Sequence, residues 1–302
     1  MAGRSIEDMS IAFIGAGNLA TNLAKALYRK GFRIVQVYSR TKESAQGLAQ
    51  TVEAAYTTEL QAVTKEAQLY IVSLKDAAFV ELLPQIVSGK ENALWVHTAG
   101  SIPMNIWQGH VARHGVLYPM QTFSKQREVD FGQIPFFVEG NLEEDVRLLK
   151  DIASALSEKV YEASSEQRKS LHLVAVFTCN FTNHMYVLAA ELLKKYGLPF
   201  EAMLPLIDET ARKVHELEPL AAHQKQGLLS FSNHSLWYSL HFFLVHYNIP
   251  IYSKTFVQKR QASASGYLIA NRCIFSLISR YSSSICGSSA SIRRCSSMTF
   301  SS

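Results

Sequence analysis

The chain has 302 residues, 48% of them hydrophobic and 18% charged, which supplies enough apolar material for a sizeable core and excludes disorder as a description of the whole. Its formal charge of +5 is unevenly spread: before residue 219 stand 25 acidic and 22 basic residues, a net charge of −3, while residues 219–302 hold eight Lys or Arg and no carboxylate. The basic excess therefore belongs to the last 84 positions, and because its cations are scattered and form no stripe, nucleic-acid binding is not expected.

Arg4, Glu7 and Asp8 make the first ten residues too charged and too short for a secretory signal. The segment reads as a leader into strand one, and a cytoplasmic location is expected. Residues 11–14 then form a short apolar strand. They feed the turn Gly15-Ala16-Gly17-Asn18-Leu19-Ala20, an amphipathic helix over about 18–29, and a second strand over 33–38. Each position of the turn has a physical reason. The first Gly permits the tight bend, the second lets the backbone approach a pyrophosphate, and Ala20 lets helix and strand pack closely. The helix would direct its unpaired N–H groups and positive dipole end at the phosphates. A lone glycine pattern is weak; strand, turn, helix and strand in order within about 30 residues is much stronger.

The second strand ends on Ser39, Arg40 and Thr41, without the carboxylate that would accept hydrogen bonds from an adenosine ribose. A guanidinium and two hydroxyls suit a 2′-phosphate, so NADP is expected over NAD. The competing reading of Arg40 is a solvated loop cation.

Further along, 45–50 continues a short helix and 69–74 is a β-branched, apolar strand. A helix is expected over 77–88, and strands over 93–97, 115–118 and 134–139. This alternation specifies an α/β fold, a doubly wound and mostly parallel Rossmann sheet, assigned to residues 1–158. A helix over 143–157 closes it. From Glu166 the pattern becomes helical: Leu171, Val174, Phe177 and Phe181 recur every three or four residues in a helix running to about residue 196, with Gly197 as C-cap and Pro199 beyond. Another helix is expected over 200–217, so residues 159–222 form a smaller all-helical domain for substrate and dimerisation.

Ligands of open parallel sheets lie beyond the carboxyl ends of the strands. Ser73, Leu74 and Lys75 there would approach the nicotinamide-side ribose, with a solvated Lys75-Asp76 pair as the bland reading. Thr98 falls beside the cofactor. His97 and Ser101, and Gln121 and Thr122 after the next strand, are the substrate candidates. Ser101 ahead of Pro103 equally suits a helix N-cap, and His97 equally suits a hydrogen-bonded structural histidine. On the long helix Lys169, His172, Val176, Asn180 and Asn183 are spaced to share one face. Hydride transfer needs a proton donor near the substrate heteroatom, which an imidazole such as His172 supplies near neutral pH; Lys169 could serve instead, and Asn180 would orient the carbonyl or cofactor amide. The same stripe could instead face solvent or a dimer partner. Cys179 reads as a small core residue. Cys273, Cys286 and Cys295 lack paired metal-ligand spacing, so no metal is expected.

The glycine turn, Tyr38-Ser39-Arg40, residues 97–101, Tyr118-Pro119-Met120-Gln121-Thr122-Phe123-Ser124, and the helix from Leu171-His172 through Asn180-Phe181-Thr182-Asn183-His184 together resemble the pyrroline-5-carboxylate-reductase-like NADP oxidoreductases. The likeness covers about residues 9–222. It implies NADP binding, a cytoplasmic enzyme and a homodimer through the helical domain, and names no substrate. The pattern departs from pyrroline-5-carboxylate reductase proper and from hydroxyacid dehydrogenases: no Lys stands four residues before Asn180, where Val176 sits. The expected function is NADP-dependent hydride transfer to or from a small carbonyl, imine or alcohol. The alternative is a catalytically inactive NADP-binding sensor or scaffold.

Residues 223–302 break with everything before them. Zero carboxylates and ten serines among residues 282–302 are foreign to a selected amphipathic helical domain. A shifted reading frame or foreign extension is expected, leaving the helical domain incomplete. The rival is a natural tail. Its apolar stretch at 236–252 is interrupted by His241, His246 and Asn248, a poor membrane span, so no membrane association is expected.

Overall fold

The computed structural model describes residues 6–224. The atypical tail from residue 225 onward lies outside the described residues. The described residues fall into two units that divide between Ala202 and Met203.

The first unit is built on one eight-stranded sheet: β1 (Ser10–Ile14), β2 (Arg33–Tyr38), β3 (Ala55–Thr57), β4 (Leu69–Val72), β5 (Leu94–His97), β6 (Arg113–Pro119), β7 (Phe136–Gly140) and β8 (Val160–Glu162). Their spatial order is β3-β2-β1-β4-β5-β6-β7-β8. All neighbours run parallel except β6 and β7, whose antiparallel register sets Tyr118 opposite Phe137. The fold is therefore the doubly wound, mostly parallel Rossmann type expected. Strand order reverses between β1 and β4, which fixes a crevice at their carboxyl ends.

Alternation along each strand sends side chains to two cores. On one face Ile11, Phe13, Leu69, Ile71, Leu94, Val96, Leu117, Phe136 and Val138 pack with α1 (Asn18–Arg29), α2 (Lys42–Thr51) and α4 (Glu143–Ser154). On the other, Ala12, Ile14, Tyr70, Val72 and Trp95 pack with α3 (Asp76–Val87), and the Tyr70 and Trp95 rings stack at 4.1 Å. The central strands are buried on both faces, which is why they read as continuous apolar runs. Strands β3 and β8 left no such trace, being three residues long and mostly exposed at the sheet edges. Strand β8 also carries the sheet past residue 158.

The long helix is α5 (Ser165–Ala175), a π turn (Val176–Phe181) and α6 (Thr182–Lys195) in unbroken succession. It starts on a capping box, Ser164 accepting from Gln167 N while Gln167 Oε1 accepts from Ser164 N. Gly197, at φ +67, ends it as expected. Among the described residues it is the one helix long and apolar enough to cross a membrane by length and composition alone. A 3₁₀ turn (Phe200–Met203) follows in the chain, and the second unit holds α7 (Leu204–Glu216) and α8 (Pro219–Gln224) among the described residues.

Leu149 of α4 is fully buried against the sheet. Leu149→Ala should cost about 2–5 kcal/mol, read as a lower denaturant midpoint at unchanged slope.

Candidate functional site

At the carboxyl end of β1 the backbone turns through Gly15, whose φ of +118 disfavours any side chain. A Cβ there would lie 2.3 Å from the Ser73 carbonyl oxygen on β4's exit loop, so the glycine lets the two chain exits meet. Gly15 N also donates to Tyr38 O, which brings β2's end, with Ser39 and Arg40, alongside. Gly17 differs: a Cβ on it would meet nothing within 4 Å, leaving open space at the first turn of α1. That turn has no side-chain cap, so its N–H groups remain available. An uncapped 12-residue helix opening onto space behind a glycine fits a pyrophosphate. Ala16 is buried and Leu19 half-buried beneath it, and Asn18 donates its side-chain amide to Phe123 O at 3.1 Å, leaving its main-chain N–H to the phosphate. Arg40 and Thr41 are exposed and Ser39 half-buried, and Thr41 heads α2 without using its hydroxyl as a cap. This donor set fits a 2′-phosphate.

The other exit loops are tied to this turn. Asn22 donates to Ser124 O at 3.0 Å, and with Asn18 it docks the loop after β6, where Gln121 and Thr122 stand exposed. Ser101 Oγ donates to Asp76 Oδ2 at 2.6 Å, joining the loop after β5 to the start of α3. The N-cap that was the alternative reading of Ser101 is not formed. The short helix there begins after Pro103, and the hydroxyl is held by Asp76 instead. Lys75 is the exposed residue preceding α3, next to the half-buried Ser73 and Leu74. Thr98 is buried and donates its backbone N–H to Val72 O.

Of the two readings of His97, burial favours the structural one over a substrate contact. Its side chain is 1% exposed beside the rings of Phe79 and Trp107, and its Nδ1 accepts from Ala99 N at 3.2 Å. Nε2, directed at the Pro103 backbone, has no well-formed hydrogen bond. Desolvation first, and then the Arg168 charge, push its pKa down to about 3. The folded state thus keeps His97 neutral while an unfolded imidazole protonates near its ordinary 6.5. This histidine's stabilising share is complete above pH 6.5 and lost progressively as the pH falls toward about 3. Replacing His97 with Gln should flatten the pH dependence of the unfolding free energy across that window, measured by denaturant titration.

Arg168 is the residue that sequence reasoning missed. Fully buried at the start of α5, its guanidinium donates to Glu139 Oε2 on β7 at 2.5 Å, to Ile102 O at 2.6 Å, to Ala99 O at 3.3 Å and to Ser165 Oγ at 3.3 Å. Glu139 in turn accepts from Ser165 N and Oγ. The signal in the sequence was an Arg four residues before His172, on the same helical face. Arg168→Ala would deprive the Glu139 carboxylate and two carbonyls of their donor, and should lower stability by about 3–5 kcal/mol in equilibrium unfolding.

One turn further, His172 is half-buried with Nδ1 3.4 Å from Tyr118 Oη, and both approach Gly100. Lys169 and Asn180 do not join them: both are exposed, and among the described residues no hydrogen bond ties either to this group. The single face expected of Lys169, His172, Val176, Asn180 and Asn183 divides twice: Lys169, ahead of the π turn, is exposed beside the buried Arg168, and past His172 the π turn adds a residue. The helix after it is rotated by about 100° relative to an unbroken α-helix. Among the described residues no cluster of His, Cys, Asp or Glu is disposed to hold a metal.

Two family models match the chain: "NADP oxidoreductase coenzyme F420-dependent" over residues 10–99, and a domain of unknown function over residues 134–224. No curated protein matches. Among solved structures, a Bacteroides fragilis protein provisionally designated an NADP oxidoreductase is 62% identical, with 92% of this chain and 98% of that one covered and a TM-score of 0.72. The chain belongs to this family of NADP oxidoreductases, and its cofactor is NADP. More distant structures share the fold. Streptococcus pyogenes 1-pyrroline-5-carboxylate reductase is 16% identical, covering 92% and 96%, at a TM-score of 0.54. A Myxococcus stipitatus imine reductase in complex with NADP+ is 16% identical, covering 79% and 87%, at 0.57.

Proposed function

We propose that the protein transfers hydride between NADP(H) and a small imine, carbonyl or alcohol compound bound at the carboxyl ends of the strands. One observation carries this reading: the phosphate turn, the β4, β5 and β6 exit loops and the half-buried imidazole of α5 converge at one end of the sheet. Backbone N–H groups of residues 15–19 would hold the pyrophosphate, and Ser39, Arg40 and Thr41 the 2′-phosphate. Ser73, Leu74, Lys75 and Thr98 would line the nicotinamide side. Ser101, Gln121 and Thr122 would meet the substrate, with His172 within reach of its heteroatom. The bound cofactor supplies the hydride, and the protein supplies orientation and a proton. That distant relatives of the same fold are named as imine and pyrroline-5-carboxylate reductases supports a C=N substrate class.

The helical segment leaves Val174, Phe177, Phe181, Met185 and Val187 exposed, which supports packing against a second copy of the chain over insertion in a membrane. Arg168 and His172 of the same helix are engaged with the sheet domain.

Arg40→Ala tests the cofactor assignment. Loss of a charged contact to the 2′-phosphate should weaken NADPH binding about tenfold or more, with NADH binding unchanged, in a fluorescence titration. Equal losses for both coenzymes would sink the assignment.

A further inference from the structure

At Gly100 a Cβ would lie 2.8 Å from Tyr118 Cζ, 2.9 Å from its Oη and 2.9 Å from His172 Nδ1. Each distance is closer than real Cβ contacts allow, so glycine is what lets the β5 exit loop, the end of β6 and the α5 helix close on one another. Tyr118 is the penultimate residue of β6, directly above the exposed Gln121 and Thr122 loop. Its side chain is 7% exposed, and its hydroxyl's one hydrogen-bond partner among the described residues is His172 Nδ1. The imidazole meets the phenol ring edge-on at 6.5 Å and is itself half open to water. A buried hydroxyl with a single titratable partner, at the strand ends where the substrate is expected, is costly unless something else uses it.

Resting on the hydride-transfer reading above, we propose that Tyr118 Oη is the immediate proton donor to the substrate heteroatom and that His172 resupplies it from solvent. Hydride addition to the carbon of C=N or C=O moves the π electron pair onto nitrogen or oxygen. That atom takes the Tyr118 proton, and the phenolate recovers a proton from Nδ1 of the protonated His172, which is recharged from water. NADPH and one solvent proton are consumed, and the substrate gains two hydrogens. Burial raises the phenol's pKa, partly opposed by the Arg168 charge, so the hydroxyl stays protonated and able to donate at neutral pH. Around the pair, Glu139 of β7 is matched by Arg168 and Asp76 of α3 accepts from Ser101 beside Gly100, while Lys169 on the same helix as His172 is exposed.

Three measurements on the full-length chain decide this. With ¹⁵N-histidine and no cofactor or substrate present, Tyr118→Phe should move the His172 Nδ1 resonance, which is assigned by its loss in His172→Gln; an unmoved resonance overturns the pairing. NADPH affinity of Tyr118→Phe should stay within about twofold of the parent, since the phenol lies outside the phosphate turn. With 2-methyl-1-pyrroline and a panel of small carbonyls as probes, kcat should fall about 100-fold with KM changed far less, the span of a lost general acid. His172→Ala should fall too and be partly rescued by added imidazole. A parent protein that turns over a probe while Tyr118→Phe keeps at least half its kcat overturns the donor role alone. A parent that binds NADPH and turns over no probe instead sinks the hydride-transfer reading, and the donor role with it.

Discussion

A guanidinium taken out of water survives only where every donor finds an acceptor, and the arrangement around Arg168 depends on that requirement. Its carboxylate comes from the antiparallel strand β7, two carbonyls from the loop after β5, and a hydroxyl from its own helix. Because these groups belong to three separate elements, satisfying the charge fixes their positions relative to one another. His172, one turn along, inherits its place from this fixture. So does Gly100, which lies between the two carbonyls in sequence. The residues expected to do chemistry are thus held by one that does none.

The same logic of shared fixtures recurs at the phosphate end. Asn18 and Asn22 use their side chains to hold the loop after β6, while the backbone of the turn stays uncommitted. The division is physically sensible, because main-chain N–H groups are the right donors for a pyrophosphate and side-chain amides are the right length to span to a neighbouring loop. A sheet whose strand order reverses between β1 and β4 places all of this at one rim.

Much of the sheet domain was legible because its signals are local. Residues 11–14 and 69–72 are buried on both faces and so appear as short apolar runs, and Gly15 of the turn is dictated by backbone geometry within a few residues. The edge strands β3 and β8 were not legible: three exposed residues carry no period. The long helix was legible in part. Its helical period is evident from Glu166 and its end from Gly197, but a polar stripe at 3.6 residues per turn assumes a regular helix throughout, and nothing in Val176-Phe177-Thr178-Cys179 announces a wider turn. Arg168 and Tyr118 were passed over because their significance is tertiary. An Arg in a helix reads as solvated until Glu139 of a neighbouring strand is seen paired with it, and a Tyr at a strand end reads as core.

The widened turn at Val176–Phe181 has a mechanical meaning as well. A stretch with i to i+5 hydrogen bonding is rare and takes one residue more per turn than the regular spiral on either side of it. It therefore acts as a phase adjuster. The portion ahead of it is indexed to the nucleotide-binding sheet by a buried cation, and the portion behind it is free to aim its greasy side elsewhere. Excising a single amino acid there would restore uniform pitch and re-aim everything downstream without touching any reacting group.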